Sequence, residues 1–99
     1  MAEPTQYRCY ASTSGNPDFN QYAPISEPEW FEASSLDELR AKLRGYMEFW
    51  DVGGGNWDSP VVLLGKKRLG HLSYNLRLWN KKGEVIDEPT NRDVIEYDI

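Results

Sequence analysis

One cysteine, Cys9, and one histidine, His71, are all the chain offers of the side chains that most often bind transition metals or drive nucleophilic catalysis. A single cysteine forbids an internal disulfide and fits a reducing compartment. No H-x-E, C-x-x-C or Asp-x-Asp spacing occurs, so neither a metal nor any other cofactor is expected. Nucleophilic catalysis needs a nucleophile, a base and an orienting group. Cys9 and His71 both fall on expected strands, where a small cysteine is ordinarily a packing residue. No run approaches the roughly 20 apolar residues of a membrane span. The opening MAEPTQYRCY also lacks the basic-then-apolar order of a secretory signal. A cytoplasmic protein without membrane contact is the expectation.

Acids are missing from one stretch and bases from most of the rest. Pro60 to Lys82 carries six bases and no acid, whereas Met1–Ala33 nets −4, Ser34–Ser59 −2 and Gly83–Ile99 −5, giving −5 overall. An acidic chain with one basic block points to a protein partner or complementary self-association more than to bulk nucleic-acid binding, which usually needs net positive charge.

What is present suffices for one core: 39% hydrophobic and 13% aromatic residues in 99 positions specify a single domain over 1–99. Thr5–Ser12 alternates Tyr7, Cys9 and Ala11 with polar residues, the period of a strand. Residues 13–28 hold Gly, Asn and Pro without a period and read as a long irregular loop. Glu29–Ala33 reads as a short strand. Ser35 followed three residues later by Glu38 is a capping box. Behind it Leu36, Leu39, Leu43, Tyr46 or Met47, and Trp50 form an apolar stripe, with Asp37, Arg40, Lys42 and Arg44 off it. Gly45 interrupts this helix at a cost of about 1 kcal/mol against Ala, as if close packing or a kink required it. Val61–Lys67 reads as a strand. GHLSYNLRLWN alternates as another, with Leu72, Tyr74, Leu76 and Leu78 toward the helix, and Glu84–Asp87 as a third, turning at KRLG and NKKG. The tail NRDVIEYDI alternates too, as an edge strand or as a segment laid on the core. The expected fold is α+β: one amphipathic helix on an antiparallel sheet of four to five strands, order roughly ββαβββ.

The glycine-rich stretch WDVGGGNWDSP, within the loop 51–60, lies between helix and strand. A phosphate cradle needs a following helix and no acids, so Asp51 and Asp58 exclude it. Asp51, Asn56 and Asp58 offer oxygens to calcium but lack the alternating ligands and closing Glu of an EF-hand. As a connector, Gly53 would end the helix in the left-handed conformation and Gly54 and Gly55 reverse the chain. As a recognition loop, its anchor would be Trp57.

Two functions follow. The first is a small acidic, non-enzymatic protein-binding module of inhibitor type, anti-defence or immunity, of bacterial or mobile-element kind. It would occupy the basic surface of a protein or nucleoprotein partner through Trp57, Asp58, Asp51, Asn56, Tyr22, Asp18, Glu27 and Glu29, with Asp87 and Glu88 as further candidates. The alternative is an RNA-binding or metal-free endoribonuclease-like protein acting through the basic hairpins: Lys66, Lys67, Arg68, Arg77, Lys81 and Lys82, with Trp79 stacking a base and His71 or Tyr74 moving a proton. Lysines at turn tips also blunt sheet edges, with no further role.

Overall fold

Ser35 starts the helix as expected. Its backbone is extended at φ −144°, and its Oγ accepts the Glu38 amide at 3.1 Å. Glu38 reaches one residue further back than a capping box would, accepting the Ser34 amide at 3.1 Å and the Ser34 hydroxyl at 2.9 Å. These bonds from Ser34 hold the Glu38 carboxyl below its ordinary range. Helix α1 runs Leu36–Trp50. It sits in a computed structural model that describes residues 6–89, so the tail at 91–99 lies outside the described residues.

Around α1 the chain forms β1 (Tyr7–Thr13), β2 (Glu29–Ala33), β3 (Trp57–Asp58), β4 (Val61–Leu64), β5 (Lys67–Leu72), β6 (Leu78–Trp79) and β7 (Val85–Asp87). All pair antiparallel in the order β2-β1-β4-β5-β6-β7, with β3 also on β1. The α+β architecture and its ββαβββ-like order stand, with seven short strands in place of four or five. Two features raise the number. Residues 70–80 are not one strand: after β5 the chain turns through Ser73–Leu76, where Leu76 takes φ +65° and its amide bonds Ser73 O at 2.8 Å. Ahead of Pro60, Trp57 and Asp58 make a two-residue pairing with Thr13 and Ser12.

The turn expected at KRLG falls at Gly65–Lys66 instead, and Lys67 and Arg68 join β5. The turn at NKKG is found, closed by Gly83 N–H to Asn80 O at 3.1 Å, with Gly83 at φ +85°. Leu69 is the extra residue of a bulge, since Gly70 faces Val62 and Arg68 faces Leu63. A Cβ on Gly70 would run into the Trp79 carbonyl, so β6 approaches this closely only because residue 70 is glycine.

The core lies between α1 and one sheet face: Leu39, Leu43 and Tyr46 against Cys9, Ala11, Ala33, Val62, Leu72, Leu76 and Leu78. Tyr74, expected with these leucines, is instead 46% exposed, because the 73–77 turn rotates it out of the series. Arg40 is the larger surprise. Expected off the stripe, it is 1% exposed, its Nε donating to Leu76 O at 2.8 Å and its guanidinium 2.8 Å from Asp87 and 3.4 Å from Asp37. Gly45 faces open space and α1 continues through it, so close packing does not account for it. The helix ends at Asp51, not Gly53: Asp51 is left-handed at φ 54°, its amide on Glu48 O at 3.3 Å, with the Val52 amide on Met47 O at 2.9 Å. None of Gly53, Gly54 and Gly55 has a positive φ.

Candidate functional site

The C-terminal ends of β1 and α1 point the same way, and both long loops meet there. Asn56 joins them. Its Nδ2 donates to Ser14 O at 2.9 Å and to Gln21 Oε1 at 2.8 Å, and its Oδ1 accepts the Gly53 amide at 3.2 Å. Ser14 N–H returns to Asn56 O at 2.8 Å, and Gln21 Oε1 also takes the Asn16 amide at 3.1 Å. Gly55 lies flush on the Asn16 side chain, where a Cβ would not fit. A second set of bonds ties the loop to the helix. Ile25 N–H donates to Thr13 Oγ1 at 3.2 Å, and Thr13 and Ser26 hydroxyls share a 2.8 Å bond. Ser26 and Tyr46 share one at 2.7 Å, and the Tyr46 hydroxyl donates to Glu27 O at 2.7 Å. Burial pushes the Tyr46 phenol above its usual range.

Held this way, the loop displays Phe19 at 72% and Tyr22 at 80% exposure, with Asp18 just ahead of Phe19 in a 3-10 turn, Pro17–Phe19. Phe49, 79% exposed, stands in the last turn of α1. Asp51 at the helix end, Glu27, and Glu29 opposite Ala11 are exposed at this same end. Asp58 completes the set, half-buried, accepting the Ser14 hydroxyl at 2.8 Å and the Ser12 hydroxyl at 3.3 Å. The two loops that carry these acids are thus joined at one end of the sheet through Asn56 and Asp58.

Two of the residues named from the sequence are buried. Trp57 is 8% exposed, with its indole N–H on Leu72 O at 3.0 Å, and so belongs to the core rather than to a recognition loop. Asn56, 7% exposed, is the linchpin of the loops with its polar atoms occupied. Phe19 and Phe49 were missed because the pattern that finds core aromatics is blind to those left outside. Asp87 lies at the other side of the molecule, paired with Arg40, and Glu88 is 3.6 Å from Arg77.

Cys9 and His71 do not meet. Cys9 faces the helix and is fully buried, whereas His71 pairs with Trp79 on the opposite sheet face. Burial pushes the Cys9 thiol from 9.0 up to about 12, so no thiolate nucleophile is available near neutrality. The folded chain keeps this proton above pH 9.0, where the unfolded chain loses it. Stability from Cys9 is thus full below that pH and falls as pH rises toward 12, by at most about 1.4 kcal/mol per unit. Urea unfolding of the wild type and Cys9→Ala at about pH 8 and about pH 10.5 should show the gap between them shrinking by about 1–2 kcal/mol. A constant gap would contradict this assignment.

The basic residues gather away from the acidic end. Lys66 sits in the β4–β5 turn, and Lys81 and Lys82 in the β6–β7 turn, both at the end where β1 begins. A groove of about 440 Å³ opens beside them, lined by Val61, Arg68, Leu69, His71 and Lys81 among others. Lys67 is exposed at the start of β5. Arg77 stands apart in the 73–77 turn, and Tyr74 bonds Val52 O at 3.0 Å beside the helix end, away from His71. Tyr74 and His71, either of which was a candidate to move a proton, therefore lie apart.

Among the described residues no group of three His, Cys, Asp or Glu side chains is placed to hold a metal ion, and no helix is long and apolar enough to cross a membrane. Compared with protein-family models, curated proteins and solved structures, the chain matches none.

Proposed function

We propose that the chain is a protein-binding module of inhibitor type, acting by occupying a basic surface of its partner rather than by chemistry. One observation carries the reading: two loops knitted through Asn56 and Gln21 hold Phe19 and Tyr22 largely exposed, beside Asp18 in the chain and at the end of the sheet where Glu27, Asp51 and Asp58 also lie. Exposed aromatics cost solubility, and a frame that immobilises them lowers the entropy lost on binding. Surrounding carboxylates steer approach to a positive patch and disfavour acidic surfaces. The charge separation between the acidic loop end and the basic turn end orients the encounter.

The test is capture of a partner from nuclease-treated host lysate, followed by affinity measurement on the purified pair. Phe19→Ala and Tyr22→Ala should each weaken binding roughly 30-fold or more, the scale of an anchor worth about 2 kcal/mol. Asp18→Lys should lower mainly the association rate and its salt dependence. A partner held equally well by Phe19→Ala and Tyr22→Ala would sink the proposal.

A further inference from the structure

The helix covers one face of the sheet, and among the described residues no helix covers the other. On that other face the register builds a row across five strands. Trp30 of β2 pairs with Tyr10 of β1, their rings 5.2 Å apart. Val61 of β4 follows, next to the Cys9–Val62 pair, and is opposite His71 of β5, which pairs with Trp79 of β6. A second row runs beside it: Glu32, Arg8, Leu63 and Arg68. Arg8 lies 5.5 Å over the Trp30 ring, and Arg68 and Lys81 line the groove next to His71. Tyr10 and Trp30 remain 45% and 54% exposed despite their mutual contact.

From this we infer that this sheet face binds single-stranded nucleic acid, with bases stacked on Trp30, Tyr10 and Trp79 and phosphates met by Arg8, Arg68 and Lys81. The inference is independent of the acidic loop end. Flat aromatic side chains on an uncovered antiparallel sheet offer π-faces that any base can use, and cations bordering them neutralise the backbone. Four strand spacings of about 4.8 Å give a platform of about 19 Å, a span suited to a few splayed bases. The overall charge of −5 does not describe this face, because Pro60–Lys82, which supplies β4, β5 and β6, carries six bases and no acid. On or beside the platform, Glu32 neighbours Arg8, Glu84 is held by Asn80 at 2.9 Å, and Asp58 is taken by Ser12 and Ser14. A duplex cannot present its bases to such a surface.

The experiment titrates the full chain with fluorescein-labelled oligouridine and oligothymidine of about ten nucleotides. Intrinsic tryptophan fluorescence, salt dependence and competition by a duplex of the same length are read alongside. Binding to either polymer should quench tryptophan emission, weaken as salt rises and resist the duplex. Trp30→Ala and Arg68→Glu should each lower affinity roughly tenfold, while Tyr22→Ala leaves it unchanged. Trp30 and Arg68 are exposed, and an unshifted thermal melt of each variant will show that the fold persists. Preference for one polymer tells which of the two the face takes, the pair differing in the 2′-hydroxyl and the thymine methyl. The inference is overturned if neither polymer binds, if the duplex competes equally, or if both variants bind like wild type. Sedimentation showing a homodimer that Trp30→Ala dissolves would likewise overturn it, assigning the face to a second copy of the chain.

Discussion

Trp57→Ala is expected to cost about 3–5 kcal/mol of folding stability, the range for truncating a buried aromatic. For a domain whose whole margin is about 5–15 kcal/mol, that removes between about a fifth and all of it. The indole lies against the core at 8% exposure and fastens β3 to the end of β5 through Leu72 O. Its loss would open a cavity and strand that carbonyl. Trp57→Phe keeps much of the volume but still removes the donor, so about 1–3 kcal/mol is expected, mostly from the unpaired acceptor. Urea unfolding of the three proteins measures the series. The same comparison separates scaffold from contact: Trp57→Phe, still folded, should hold its partner as tightly as wild type. Weakened partner binding by this variant, with its melting curve barely moved, would return Trp57 to the interface.

That residue also shows where sequence reading fails. Trp57 sits among Gly53–Gly55, Asn56 and Asp58, a composition that reads as loop, and the two-residue β3 is too short to show a period. Its burial follows from pairing with Thr13, forty-four positions away in the chain. The first two strands and α1 were legible because their signals are local: alternation at Cys9 and Ala11, and Ser35 with Glu38 in one helical turn. The run from His71 to Trp79 alternates perfectly and misleads. Ser73, bonded to Asn75, bends the chain there, and its hydroxyl also accepts the Trp79 indole at 3.0 Å. These are side-chain bonds that compete with a strand ladder. The convergence of the acidic loops rests on Asn56, and the Tyr10–Trp30 pair rests on the register of β1 with β2. Neither is written in any contiguous stretch.

Arg40 was misplaced for a related reason: residue type assigns arginine to the surface, yet its position next to Leu39 points it at the sheet. Guanidinium does not shed its proton, so burial at 1% exposure requires negative neighbours. Nη2 lies 2.8 Å from Asp87 Oδ2 without a well-aligned hydrogen bond, so that contact is chiefly Coulombic. Asp87 and Asp37 are 44% and 45% exposed and are at ease in water without Arg40, whereas Arg40 is not at ease without them. The two sides of the pair should therefore respond unequally. Asp87→Asn strips charge from the main counter-ion and should destabilise by about 2–3 kcal/mol, below the 3–5 of a fully enclosed pair because water reaches the carboxylate. Arg40→Met removes the buried charge, keeps much of the side-chain volume and leaves chiefly the Leu76 carbonyl unpaired, for about 1–2 kcal/mol. The double variant should be more stable than Asp87→Asn alone, since nothing charged then remains in the core. Chemical denaturation of the four proteins closes this cycle. If adding Arg40→Met to Asp87→Asn lowers stability further, the buried cation is solvated by some other route and the counter-ion role of Asp87 fails.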